Sequence, residues 1–322
     1  MTGWGEPRGE AARAARSGGL VRRSVLIVPA NVPRFVERAH LRGADAVMLD
    51  LEDSVPTDQK DAARRALAEA IPGVGRGGAD VIVRINKPFP LALEDLDAAA
   101  VDGLSALCFP KAESGREIAV VDALLREREL RRGLPPGRIG LAVAVESARG
   151  IGHLDELLAA SDRIETVDLG AEDLTRELEV EPSPTGDELL AARQAVVLAA
   201  RRAGVQPLGL TTTLANYSDL AALAGSAAGA YAMGFRGAGC IHPDQVPVLN
   251  EQFQPSPAAV ERARRVLAVY REALAAGRAS AALDGQMIDV PVAERAERLL
   301  ARADAVAGKE AAKREALARL SP

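Results

Sequence analysis

Residues 46–53 read AVMLDLED, four apolar residues running into a cluster of acids. An unbroken apolar run of this kind is the signature of a parallel strand buried on both faces. The same shape recurs in SVLIVPA from Ser24, DVIVRIN from Asp80, ALCFPK from Ala106 and GLAVAVES from Gly140. It returns in TVDLGAED from Thr166, QPLGLT from Gln206 and GAGCIHP from Gly237. Between the runs lie segments long enough for crossover helices. Eight strand–helix alternations predict an α/β chain folded as a (β/α)8 TIM barrel. In that fold the chemistry sits at the C-terminal ends of the strands. Here those ends carry Asp50, Glu52, Asp53, Arg84, Lys111, Glu146, Asp173 and His242. Acids, an arginine and a histidine converging on one mouth suit an anionic substrate held by a metal ion.

Composition supports one large core, since 48% of the 322 residues are apolar. Aromatic residues are only 3%, too few for a nucleic-acid stacking platform. A net charge of −5 argues against a general polyanion binder but leaves room for a local basic patch. Cys108 and Cys240 fall inside expected strands without C-x-x-C spacing, so buried, reduced thiols are expected. No apolar run approaches the ~20 residues of a membrane span. The opening MTGWGEPRGEAARAARSGG has no apolar core for a secretory signal, and Glu6 and Glu10 disfavour a transit peptide. A cytoplasmic protein is expected.

The expected organisation is a flexible tail over 1–20, a barrel over 21–250 and a C-terminal helical arm with a lid loop over 251–322. Helical spacing predicts helices over 33–42, 58–70, 112–130 and 187–203, the last closed by Gly204. The glycines of 73–78 are expected to form a loop. Ser218 or Asp219 can cap a further helix reaching about Met233. In the arm, a helix from Ser256 closes at Gly277, a loop RASAALDGQMIDVP follows, and a last helix covers about 292–305. The end, KEAAKREALARLSP, reads as a solvated helix or frayed end.

Glu146 and Asp173 are expected to end adjacent strands. Two carboxylates side by side suit Mg2+, which takes one or two protein carboxylates and keeps positions for substrate and water. The plainer alternative for each alone is a solvated loop acid or a helix cap. Asp50, Glu52 and Asp53 alternate in direction and cannot all face a ligand. One or two of them would stand behind the metal, holding waters or Lys60 and Arg64, and Asp53 can instead cap a helix. Arg84, among Ile82, Val83 and Ile85, needs an anionic partner. Its planar fork matches a substrate carboxylate, and a structural bridge to Asp50 or Glu52 is the rival. Lys111 either pairs with the same acids or touches substrate. His242 beside Pro243 reads as a hydrogen-bonded structural group, and His40 and His153 as helix-surface residues. Neither G-x-G-x-x-G after a strand nor G-x-S-x-G is present, so a dinucleotide site and a serine-hydrolase triad are unsupported.

At these residues the chain resembles the HpcH/HpaI aldolase and citrate lyase β-subunit superfamily, most of all its citrate lyase β-like branch of malyl-CoA and citramalyl-CoA lyases. The matching stretches are RSVLIVPANVPRF, GADAVMLDLEDSV, VRIN, FPKAES, VESARG, LGAEDLT, GFRGAGCIHPDQVPVLNEQFQPSP and DGQMIDVPV, covering residues 23 to about 292. The resemblance implies a (β/α)8 barrel that binds Mg2+ and assembles as a homotrimer or hexamer. It implies that Glu146 and Asp173 are metal ligands and that Arg84 grips the carboxylate of a 2-oxo acid. Glu52 and Lys111 join Arg84 as substrate-binding candidates. Asp289, in QMIDVP, matches an aspartate on a C-terminal lid that closes over the next subunit's barrel and exchanges a proton with the acetyl-CoA methyl. Nothing in the residues alone singles out Asp289. Asp53 stands where the pyruvate-dependent aldolase branch carries a base histidine, which favours the CoA-thioester branch and makes Asp53 a third catalytic candidate beside Asp289 and Arg84. The chain departs from the family pattern at Ala238, where a lysine is common, at Ala191, where a tyrosine is usual, and in LGLTTTLANYSD, though Asp219 is retained.

The implied activity is Mg2+-dependent cleavage of a carboxylated 3-hydroxyacyl-CoA, such as malyl-CoA, citramalyl-CoA or citryl-CoA, to acetyl-CoA and a 2-oxo acid. The reverse is a Claisen-type condensation. The alternatives are a class II aldolase on free 2-oxo acids, a citrate lyase β subunit acting on a carrier-protein thioester, and a catalytically silent binding subunit.

Overall fold

The structure, a computed structural model, describes residues 19–213 and 217–320. Most of the expected tail and the centre of LGLTTTLANYSD lie outside the described residues. The chain forms two compact units, one of residues 19–253 with 313–320 and one of Gln254–Ala312.

In the first unit every apolar run is a strand: β1 (Ser24–Pro29), β2 (Ala46–Asp50), β3 (Asp80–Arg84), β4 (Ala106–Phe109), β5 (Gly140–Val145), β6 (Ile164–Leu169), β7 (Gln206–Leu208) and β8 (Ala238–Cys240). All pair in parallel, in the order β7-β6-β5-β4-β3-β2-β1-β8. Between the two end strands, Gly209 N–H donates to the Gly237 carbonyl at 2.9 Å and Arg236 N–H to the Pro207 carbonyl at 3.0 Å. These two bonds bring the sheet close to full closure as a (β/α)8 barrel.

Side-chain alternation divides the core. Leu26, Val28, Val47, Leu49, Val83, Leu107, Val143 and Val167 face the surrounding helices. Each such burial stabilises by roughly 1.5–3 kcal/mol. Val25, Ala46, Met48, Ile82, Ala106, Cys108, Ala142, Ala144 and Leu208 form a separate cluster. That inner set contains four alanines, so its upper end is left unfilled. Cys108 and Cys240 are buried free thiols, as expected.

Local signals set several helix ends. Gly204, left-handed at φ 69°, ends the helix Leu190–Ala203. The Asp219 carboxylate accepts the Ala222 N–H at the start of Leu220–Met233. Ser114 and Glu117 form a reciprocal cap on Gly115–Arg131. One expectation fails at the glycines of 73–78, because the helix Lys60–Gly75 runs through Pro72 and Gly73. Ile71 and Val74 on that stretch are fully buried. Their burial outweighs the ~1 kcal/mol helix penalty of a glycine. His40, expected on a helix surface, is instead buried, with Arg76 against its ring at 3.1 Å.

A buried ion cluster lies beneath the barrel, at the N-terminal ends of the strands. Asp45 accepts from Arg23 at 2.7 Å and from Lys313 at 2.8 Å, and none of its surface is exposed. Burial opposes the Asp45 charge, but Arg23 and Lys313 outweigh it and hold the carboxyl below its ordinary range. Its stabilisation is therefore present above pH ~4 and is lost as the pH falls through the depressed value. Asp45→Ala strands two buried cations, and urea unfolding at pH 7 is expected to show a loss of about 3–5 kcal/mol.

In the second unit the helix Pro257–Ala275 begins at a Ser256 cap, as expected. The expected loop after it contains an antiparallel hairpin, β9 (Ala281–Leu283) and β10 (Gln286–Ile288). Its turn residues Asp284 and Gly285 both have positive φ, 51° and 74°. Asp-Gly is a favoured pair for a two-residue hairpin turn. Leu283 and Ile288 pack with Ala263, Val266, Leu267, Ala293 and Ala296 in a small core. The final helix runs unbroken over Val290–Ala318, far beyond the expected 292–305. Among the described residues no helix is long and apolar enough to cross a membrane.

Candidate active site

A cavity of about 180 Å3 opens at the C-terminal ends of the strands. Its walls include Arg84, Cys108, Glu146, Asp168, Gly170, Asp173, Thr212, Thr213 and Ala238. The volume is below the ~300–1,000 Å3 of pockets that enclose drug-sized ligands, and suits a small organic acid.

Glu146 follows β5 and Asp173 lies in the first turn of the helix Ala171–Glu177. A hydrogen bond joins their carboxyl groups. Burial and that bond push Glu146 far up, despite an N–H from Lys111 at 3.2 Å. For Asp173 burial works the other way, but the bond from Glu146 and the Arg176 guanidinium at 2.6 Å keep it ionised. Glu146 therefore carries a proton and donates it to Asp173. A buried Glu146 and a half-buried Asp173 joined by one hydrogen bond form a donor set that a hard divalent cation can occupy by displacing the proton between them. Among the described residues no cluster of three or more His, Cys, Asp or Glu is arranged for a metal. A cation here would keep positions open for water and substrate, which fits Mg2+ better than a closed structural site.

Space for Glu146 comes from Gly170. A Cβ there would lie 2.5 Å from Glu146 Cγ and 2.9 Å from its Cδ. Gly170→Ala must therefore displace Glu146. Activity is expected to fall by roughly tenfold or more, as when a group orienting a metal ligand is lost. Steady-state kinetics on a variant with an unchanged circular dichroism spectrum checks this.

Arg84 is held by its rival partner. Its Nε and Nη2 donate to the two oxygens of Asp50 at 2.6 and 2.7 Å. Its Nη1 stands 3.2 Å from Glu52 Oε2. Burial disfavours the Asp50 charge, yet Arg84 and the Ser54 hydroxyl hold Asp50 below its usual range. All three guanidinium nitrogens thus face acids of the protein, and Arg84 also lines the cavity.

Lys111 sits at φ 49°, a left-handed conformation rare outside glycine, and its N–H reaches Glu146. Its Nζ donates to Glu52 at 2.5 Å and Asp53 at 2.8 Å. Glu52 is pushed up by burial, against the pull of Arg84 and Lys111. Asp53 is exposed and paired with Lys111, beside the cavity and not in its wall. Lys60 and Arg64 do not hold these carboxylates. Lys60 donates to the carbonyls of Leu51 and Glu52 at 2.8 and 2.9 Å, and Arg64 to the buried Asp95 at 2.7 Å. Unmet carbonyls of the acidic turn and a fully buried carboxylate are the stronger demands. His242 stacks on Tyr217 at 5.6 Å and accepts the Asp244 N–H, a structural arrangement.

In the second unit Asp289 follows the buried Ile288 and accepts the Val292 N–H at 3.3 Å, capping the last helix. Met287 and Val290 beside it are exposed by 67% and 51%. The site residue that the sequence reading missed is Asp168, whose signal was an acid inside an apolar strand.

A parallel eight-stranded barrel with a hydrogen-bonded carboxyl pair at the C-terminal ends of its strands has the architecture of a TIM-barrel enzyme. The HpcH/HpaI aldolase/citrate lyase profile matches residues 23–243, and the chain belongs to this family. It is similar to citrate lyase subunit β of Leuconostoc mesenteroides subsp. cremoris, 34% identical over 286 residues, 88% of this chain and 94% of that protein. It is also similar to L-malyl-CoA/β-methylmalyl-CoA lyase of Rhodobacter capsulatus, 32% identical over 303 residues, 88% of this chain and 94% of that one. CitE from Mycobacterium tuberculosis, solved with magnesium, acetoacetate and coenzyme A, superposes with a TM-score of 0.70 at 32% identity, covering 89% and 99% of the two chains. The chain is a lyase.

Proposed function

We infer that the chain is a Mg2+-dependent carbon–carbon lyase acting on a carboxylated 3-hydroxyacyl-CoA of the malyl-, citramalyl- or citryl-CoA kind. The products are acetyl-CoA and a 2-oxo acid. The observation that carries this reading is the hydrogen-bonded Glu146–Asp173 pair in a small cavity that Arg84 also lines. Relatives that cleave malyl-CoA, or that bind magnesium, acetoacetate and coenzyme A, support it.

Glu146 and Asp173 would hold the cation once their shared proton is lost. When bound, Mg2+ supplies Lewis acidity that lowers the pKa of a hydroxyl and stabilises the carbonyl formed from it. Arg84 binds the substrate carboxylate, its orientation fixed by Asp50. Lys111 neutralises Glu52 and Asp53 and steadies Glu146 through its N–H. Asp289 protonates the thioester enolate in cleavage and takes the methyl proton in condensation. The exposed Met287 and Val290 beside Asp289 suit packing on another surface, and we assign that surface to a neighbouring copy in a trimer or hexamer.

Identity to citrate lyase β subunits, 34% and 35%, favours one second reading, action on a carrier-protein thioester. Thermal shift with Mg2+ separates the two. Stabilisation by acetyl-CoA supports the CoA thioester, and indifference to every free thioester supports the carrier.

A further inference from the structure

Asp168 lies on β6, paired in register with Ala144 on β5 and Leu208 on β7. Its chain neighbours Val167 and Leu169 turn outward into the helix-facing core. Alternation therefore sends Asp168 inward, and it forms part of the cavity wall. The inward residues around it, Ala144, Leu208 and Cys108, are small or apolar. Among the described residues, Arg84 and the Leu169 N–H favour its charge, and no side chain donates a hydrogen bond to it. A half-buried carboxylate in a largely apolar wall, without a side-chain donor, is costly unless a ligand supplies one.

The other ionisable groups of the cavity have tasks. Arg84 is tied to Asp50 and Glu52, and Glu146 is joined to Asp173. The Cys108 thiol is pushed far up by burial and stays neutral. Glu172 lies in the first turn of a helix at the rim. Cleavage needs an acceptor for the hydroxyl proton, and Asp168 is the acid of the inner wall left for it. Burial against the pull of Arg84 raises its pKa to about 6, which suits a base working near neutrality.

We propose that Asp168 is a catalytic residue that accepts the proton of the substrate hydroxyl as the carbon–carbon bond breaks, an assignment that rests on the lyase reading above. The O–H bond breaks and its proton passes to the Asp168 carboxylate. The electron pair left on oxygen forms the carbonyl. The electrons of the C–C bond leave with the thioester fragment as its enolate, which is then protonated on carbon. Asp168 returns its proton to water after product release, so nothing is oxidised or reduced.

The test compares wild type with Asp168→Asn, using malyl-CoA and citramalyl-CoA as probes. The variant should lower kcat by roughly a hundredfold or more with KM nearly unchanged, the scale of a lost general base. It should also melt higher than wild type, because a poorly partnered charge in an apolar wall is gone. The Mg2+ concentration for half-maximal rate should stay within about twofold. A variant keeping half of kcat overturns the assignment. So does one that melts lower, which makes Asp168 structural, or one that needs over tenfold more Mg2+, which makes it a support for the ion. A wild type that cleaves no thioester overturns the lyase reading and this assignment with it, and that failure is visible before any variant is made.

Discussion

Replacing Glu146 by glutamine lowers kcat/KM for thioester cleavage by about a thousandfold or more, equivalent to roughly 4 kcal/mol of transition-state stabilisation. Glutamine keeps the shape and can still donate to Asp173, as the protonated Glu146 does. It cannot become an anion, so the pair can no longer offset a divalent charge. The variant should melt within a few degrees of wild type, because the shared hydrogen bond survives. Steady-state kinetics across Mg2+ concentrations, beside a melting curve, checks both. Near-normal activity would show that the pair is a structural hydrogen bond and that the ion, if any, binds elsewhere.

The second large effect concerns Asp289. Its structural duty is one cap to the Val292 N–H, worth about 1 kcal/mol, so Asp289→Ala should fold and assemble. Alone it should be nearly inactive, and so should Glu146→Ala. Reassembled in equal amounts, the two should regain about a quarter of the wild-type rate. In a head-to-tail ring, that is the share of sites pairing an intact Glu146 with an intact Asp289 from the next chain. If hybrid oligomers form and no activity returns, Asp289 serves its own chain or has no catalytic part.

The barrel was readable because parallel strands covered by helices become continuous apolar runs, and every such run is a strand. The strand-end acids and Arg84 were readable for the same reason, since strand ends mark the mouth. Three features were harder. Strand β6 begins at Ile164, two residues before the run, with the charged Glu165 at a register shift beside β5, where it pairs with Arg22 at 2.8 Å. The same masking hid Asp168, whose inward direction follows only once the register is known. The final helix carries no strong apolar stripe near its end. One of its fixed points, Lys313 on Asp45, joins residues 268 apart, a contact no local pattern announces. The β9–β10 hairpin was different, because the Asp284-Gly285 turn signal stood in the sequence and was passed over.

Arg84 shows where residue chemistry alone stops. An arginine among apolar neighbours demands an anion, and the sequence offered both a substrate and Asp50. The geometry ties the guanidinium to Asp50 by one edge and sets Nη1 near Glu52, while Arg84 also lines the cavity. Asp53, placed by resemblance at the position of a base, is exposed and serves Lys111.

The most direct test is condensation in vitro. Purified protein is incubated with acetyl-CoA, Mg2+ and, in turn, glyoxylate, pyruvate and oxaloacetate, and the thioesters are weighed by mass spectrometry. The account predicts a new CoA thioester whose mass is the sum of acetyl-CoA and one oxo acid, formed with Mg2+ and lost in EDTA. No adduct with any acid, or an adduct formed equally well in EDTA, would contradict it.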